Sequence, residues 1–157
     1  MDAPLLRAAD LALVSGASAA NLLVAAIMLA RTRALRRLER VLGLVTVGMA
    51  FPAAGAAVVN ALGERGLWWV VLPLPFVLHC ALELVLDYVV KVPFRATRLL
   101  GPYLGIFYLG SWGMIGYSFL AGKVYGLTVL VTYFVCLGAT WYSHRGADPA
   151  SARAAPG

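Results

Sequence analysis

Five runs of this chain, residues 11–30, 41–62, 67–90, 99–121 and 124–142, are apolar almost without interruption. A helix rises about 1.5 Å per residue, so roughly 20 such residues cross a hydrocarbon core about 30 Å thick. No water meets an unpaired backbone group in that medium, which leaves helices and closed β-barrels as the only spanning forms. The runs are continuous rather than alternating, and this excludes a barrel. The expected fold is all-α: a polytopic membrane protein with five transmembrane helices bundled over residues 1–145. A tail rich in Ala, Pro, Gly and Ser over 146–157 is expected to be disordered. The loops between runs are short, so successive helices run antiparallel.

Charge sets the orientation. With 62% hydrophobic and only 13% charged residues, the chain lacks the polar surface of a soluble domain of its 157 residues. Its net charge of +6 would argue for nucleic acid in a soluble protein, but the basic residues fall between apolar runs, so no nucleic-acid partner is expected. One loop holds Arg31, Arg33, Arg36, Arg37 and Arg40, another Lys91, Arg95 and Arg98, and the C-terminal segment Arg145 and Arg153. Only Arg7, Arg65 and Lys123 fall on the other side. The positive-inside rule then puts the N-terminus outside and the C-terminus in the cytoplasm of a bacterial inner membrane. Arg36, Arg37, Lys91, Arg95 and Arg98 are expected to meet anionic lipid headgroups, the bilayer being the first partner. The first run is longer than a signal-peptide core and its cationic cluster follows it, so it reads as an uncleaved anchor.

Small residues and aromatics outline the packing. Gly101 and Gly105 form a GxxxG that Gly110, Gly113 and Gly116 extend, and Pro52 removes a backbone donor from the middle of the second run. Trp68, Trp69, Trp141 and Tyr142 sit where interfacial anchors belong, whereas Tyr108, Trp112 and Tyr117 lie deeper and need partners for their polar tips. Cys80 and Cys136 read as small buried hydrophobes.

The third run breaks the apolar pattern. "VLHCALELVLDYVVK" carries His79, Glu83, Asp87 and Lys91 at four-residue spacing, one face of a helix. His79 stands near mid-span, Glu83 about 6 Å and Asp87 about 12 Å nearer the basic side. Asp87 and Lys91 form an expected interfacial pair one turn apart. An ionised carboxylate at the depth of Glu83 costs at least a few kcal/mol, so it must be neutral, paired or facing water, and His79 is its nearest partner in sequence. The centres of other runs offer Asn21, Ser111, Thr132 and Tyr133 at a matching depth.

Several chemistries find no support in these residues. The two histidines, His79 and His144, differ too much in depth to share one haem, and His79 with Glu83 makes two zinc donors where three are needed. No cofactor or metal is expected, and no nucleophile motif points to an enzyme. The favoured reading is binding or transport of a small solute or cation coupled to protonation of Glu83, with His79, Asp87 and the polar layer as candidate ligands. So small a bundle implies a homo-oligomer or a partner membrane subunit. The alternatives are an accessory subunit of a larger membrane complex and, third, a lipid-modifying enzyme working at the headgroup level.

Overall fold

A computed structural model describes residues 3–91 and 97–145. Among them the chain is helical throughout: α1 (Ala3–Thr32), α2 (Arg36–Gly48), α3 (Ala50–Leu62), α4 (Leu67–Val71), α5 (Leu74–Glu83) followed by a π-helical segment Leu84–Val89, α6 (Leu100–Ala121) and α7 (Lys123–Arg145). Taken together these make five helices long and apolar enough to cross a membrane, with α2–α3 as the second span and α4–α5 plus the π segment as the third. The first helix starts at Ala3, well before the apolar run itself. Arg95, Arg153 and the whole tail lie outside the described residues.

Lipid-like surroundings are written on the surface. Phe51 is 82% exposed, and Leu62, Leu67 and Val124 are nearly as open. Such a shell is costly in water and costs nothing against acyl chains. Helix association therefore rests on close backbone approach. α1 is the central helix, packed most extensively on α7 and also on α2, α3 and α6. Its buried stripe, Leu13, Gly16, Ala17 and Ala20, is mostly small. A Cβ on Gly16 would stand 3.2 Å from the Pro52 ring, which marks how closely α1 and α3 meet.

Two of the spans are broken, each next to a proline. In the second span the break falls at Met49, so Pro52 is the third residue of α3. There a missing N–H costs no helical bond beyond the one the break has already given up. In the third span Pro73 and Pro75 interrupt the helix after Val71. Pro73 has no N–H to offer the Trp69 carbonyl, and the side-chain amide of Asn60 donates to that carbonyl instead, at 3.4 Å. The break also brings the Leu72 carbonyl onto α6: a Cβ on Gly113 would lie 2.1 Å from it, and one on Gly110 would lie 2.9 Å from the Phe76 Cα. Gly110 and Gly113 are thus the glycines that pack. Gly101 and Gly105 are exposed, and an added Cβ on either meets nothing within 4 Å.

The end opposite the basic loop is closed by a polar network that joins four spans. Arg65 donates to Asp10 at 2.8 Å and to the Asn60 side-chain oxygen at 2.9 Å. Tyr117 donates to Asp10 at 2.7 Å and accepts from Asn60 at 2.7 Å. The Arg65 guanidinium lies over the Trp69 ring, 3.3 Å from its centroid, and that ring meets Tyr117 edge-on. Asn60 and Tyr117 are fully buried and Asp10 and Arg65 largely so. Tyr117 therefore has the polar partners its depth required, whereas Trp112 is 64% exposed and Tyr108 is 42% exposed. The turn that carries Arg65 puts Glu64 in the left-handed region, with Arg65 N–H bonded back to the Asn60 carbonyl at 3.1 Å.

Two outcomes follow for unfolding in mixed micelles followed by circular dichroism. Gly113→Ala forces Cβ against backbone and is expected to destabilise by roughly 1–3 kcal/mol, whereas Gly101→Ala leaves stability unchanged or slightly raised. Asn60→Leu strands the Trp69 carbonyl and one bond each of Arg65 and Tyr117, at an expected cost of about 1–3 kcal/mol.

Candidate functional site

The polar face of the third span opens on a cavity of about 430 Å³ in the half of the bundle nearer the basic loop. All five spans line it: Val24, Ile27, Met28 and Arg31 from α1, Thr46 and Val47 from α2, His79 and Glu83 from α5, Tyr103, Phe107 and Tyr108 from α6, and Cys136, Thr140 and His144 from α7. Most of that wall is apolar or aromatic, with a few converging polar groups, the usual make-up of a ligand site.

Glu83 is the only carboxylate among the described residues of this wall. Its Oε2 accepts a hydrogen bond from the Tyr103 hydroxyl on α6. His79 Nε2 stands 3.7 Å from the same oxygen, within ion-pair range but too far for a hydrogen bond. The partner expected one turn away in sequence is thus second to a phenol on the next span. His79 is 6% exposed, and its Nδ1 has no partner in the protein. Its ring is held between Tyr103 and Phe107, at centroid distances of 5.0 and 5.1 Å. Glu83 is buried to a lesser degree, with 20% of its side chain exposed.

Beyond Glu83 the α-helix gives way to a π-helical segment, sealed by the Val90 N–H on the Val85 carbonyl at 2.8 Å. Such insertions widen the turn, and they are often found at functional sites. The four-residue row therefore ends its α-helical register at Glu83. Lys91 then takes a left-handed backbone, φ 56°, so the α-helical alignment expected for Asp87 and Lys91 is not kept. Both line a second, more open groove of about 720 Å³, with Arg31, Arg36, Glu39 and Arg40 on its other wall. Arg31 in that wall is bonded to Glu39 at 2.6 Å. Cavity and groove share Ile27, Arg31, Gly43 and Glu83 in their linings, so the carboxylate stands where one meets the other. Gly43 faces the Tyr88 hydroxyl, which donates to the Arg40 carbonyl at 3.0 Å; an added Cβ would come 2.6 Å from that hydroxyl and would displace it.

The remaining polar layer is divided. Asn21, His79 and Ser111 border a void of about 20 Å³ just above the main cavity, room for a single water. The Asn21 amide donates to Thr132 at 3.1 Å and to the Val129 carbonyl at 3.3 Å, tying α1 to α7. Ser111 turns its hydroxyl back to the Phe107 carbonyl, 2.9 Å away. Tyr133 is buried in the core and lines neither the void nor the cavity. Of the headgroup candidates, Arg36 and Lys91 border the groove, Arg37 and Arg98 are exposed outside it, and Arg95 lies outside the described residues. Cys80 and Cys136 are both buried and unbridged.

Tyr103 is the residue that the sequence reading passed over. A signal was available: counted from the basic ends of antiparallel spans, Tyr103 and Glu83 lie at similar depth. The arrangement can hold and release a proton on a carboxylate that faces an apolar cavity on one side and a charged groove on the other. Among the described residues no three His, Cys, Asp or Glu side chains gather as a metal site.

Comparison with known proteins finds no family model, no curated protein and no solved structure that matches this chain.

Proposed function

We propose that this chain is a multi-pass inner-membrane protein, with its N-terminus outside and its basic end in the cytoplasm, that binds a small solute or cation beside Glu83. Binding is coupled to protonation of that carboxylate. The observation that carries the reading is the place of Glu83, in the lining of both the largely apolar cavity and the charged groove. A carboxylate within a membrane is costly when ionised and alone, so its charge is tied to what occupies the cavity. When a positive solute arrives the ionised form is favoured, and when it leaves a proton takes its place. The groove then serves as the proton's route to cytoplasmic water.

The groups around Glu83 decide how that exchange is tuned. On its own span these are His79, Cys80, Asp87, Tyr88 and Lys91. Arg31 of α1 and Arg36, Glu39 and Arg40 of α2 face it across the groove. From α6 come Tyr103 and Tyr108, and from α7 Cys136 and His144. Tyr103 donates to Oε2 of the carboxylate, and Arg31 is paired with Glu39.

A second reading, an accessory subunit, draws on Gly101 and Gly105. They form an exposed GxxxG that no part of this chain covers among the described residues, and motifs of this kind dock helices on partners. Native mass after gentle extraction separates the two. A stable monomer or homo-oligomer supports solute binding, and a chain that survives only with a different subunit supports the accessory role.

Labelling by a hydrophobic carbodiimide, to which a protonated carboxyl gives its proton and then adds through oxygen, tests the protonation itself. In liposomes the modification is expected to map to Glu83, to fall as pH rises, and to vanish in Glu83→Gln while the helical signal is kept. Asp87→Asn is expected to change labelling by less than about twofold, a fraction of a kcal/mol. Labelling of Glu83 that ignores pH, or loss of the folded bundle in Glu83→Gln, would turn the reading toward a structural role.

A further inference from the structure

The wall of the cavity narrows the class of solute. We propose that it is a site for a lipophilic organic monocation, a compact positive head on an aromatic or aliphatic body; this rests on, and refines, the solute-binding reading above. Three observations point the same way. The volume, about 430 Å³, falls within the roughly 300–1,000 Å³ of sites that enclose small organic ligands. Glu83 is the one carboxylate among the described residues of the wall, and it lines the cavity together with the aromatic side chains.

Aromatic rings continue the recognition surface away from the carboxylate. His79 meets Tyr103 and Phe107, and Phe107 meets Tyr108 at a centroid distance of 5.4 Å, all four lining the same space. Ring faces carry partial negative charge and attract a cation, by about 0.5–2 kcal/mol per contact when water is excluded.

Competing solutes fit less well. An inorganic cation stripped of water asks for about six oxygen ligands, and this wall offers Glu83 and a few scattered hydroxyls. A sugar needs many hydrogen bonds from an array of polar side chains, where aliphatic and aromatic groups stand instead. An anion would face Glu83 and the negative faces of the rings.

Tetraphenylphosphonium and tetraphenylborate, ions of opposite charge and nearly equal shape, provide the test. Binding is measured by calorimetry on the full chain in nanodiscs of zwitterionic lipid, with protein-free nanodiscs subtracted. The phosphonium is expected to bind saturably and to slow carbodiimide labelling of Glu83, and the borate to do neither. Glu83→Gln is expected to weaken phosphonium binding at least about tenfold and Tyr108→Ala about threefold, the second side chain being exposed enough for its loss to leave the bundle folded. Borate binding as tight as phosphonium binding would overturn the charge assignment and point to an anionic amphiphile. Phosphonium binding unchanged in both variants would overturn the site. If phosphonium fails to bind and labelling of Glu83 still falls with pH, the cation class is lost and the protonation reading stands. If labelling is also absent, both are lost.

Discussion

Everything in this bundle answers to one constraint: within hydrocarbon each backbone N–H and C=O must find a partner inside the protein. Unbroken helices meet it at once, and α1, α6 and α7 do so along their whole lengths. The third span does not. Pro73 withdraws a donor from the Trp69 carbonyl, and the repair comes from the Asn60 side chain on another span. That amide also reaches Tyr117, and its oxygen receives Arg65, which holds Asp10. One missing N–H is thus embedded in a network that clamps the end opposite the basic loop.

The break has a second consequence. With the helix interrupted, the backbone at Leu72 to Phe76 lies against α6 so closely that only glycine fits at Gly110 and Gly113. α6 is therefore seated tightly against the upper part of the third span. Toward the other end it carries larger residues, Tyr103, Leu104 and Phe107, and the space there widens into the cavity. Tight packing at one end and a hollow at the other are two results of the same choice of side-chain size along one helix. The π-helical segment adds to this by turning the span after Glu83, so that Asp87 and Lys91 border the groove.

Burial gives the two polar regions different characters. In the clamp every side-chain donor of Asn60 and Tyr117 is engaged, and the Trp69 ring covers the guanidinium, so the region is a structural joint. Around Glu83 a phenol donates to the carboxylate, and the imidazole stands 3.7 Å away with its Nδ1 buried and unmatched in the protein. A satisfied network rigidifies, whereas a buried polar atom without a partner, such as His79 Nδ1, costs stability that a structural joint does not.

The sequence by itself determined the five helices, because apolar composition and intrahelical hydrogen bonding are local properties that add up over about 20 residues. It also determined that His79 and Glu83 share a face, since four residues make about one turn. Which groups meet across spans was decided only in three dimensions. Tyr103 reaches Glu83, Asn21 reaches Thr132 and Tyr117 reaches Asp10 over separations of 20, 111 and 107 residues. Such pairings depend on the rotation and height of each helix, which a single break or an added π turn resets for everything beyond it. The glycines show the same division: all on α6 look alike in the sequence, yet only where the neighbouring backbone arrives, at Gly110 and Gly113, does the missing Cβ matter.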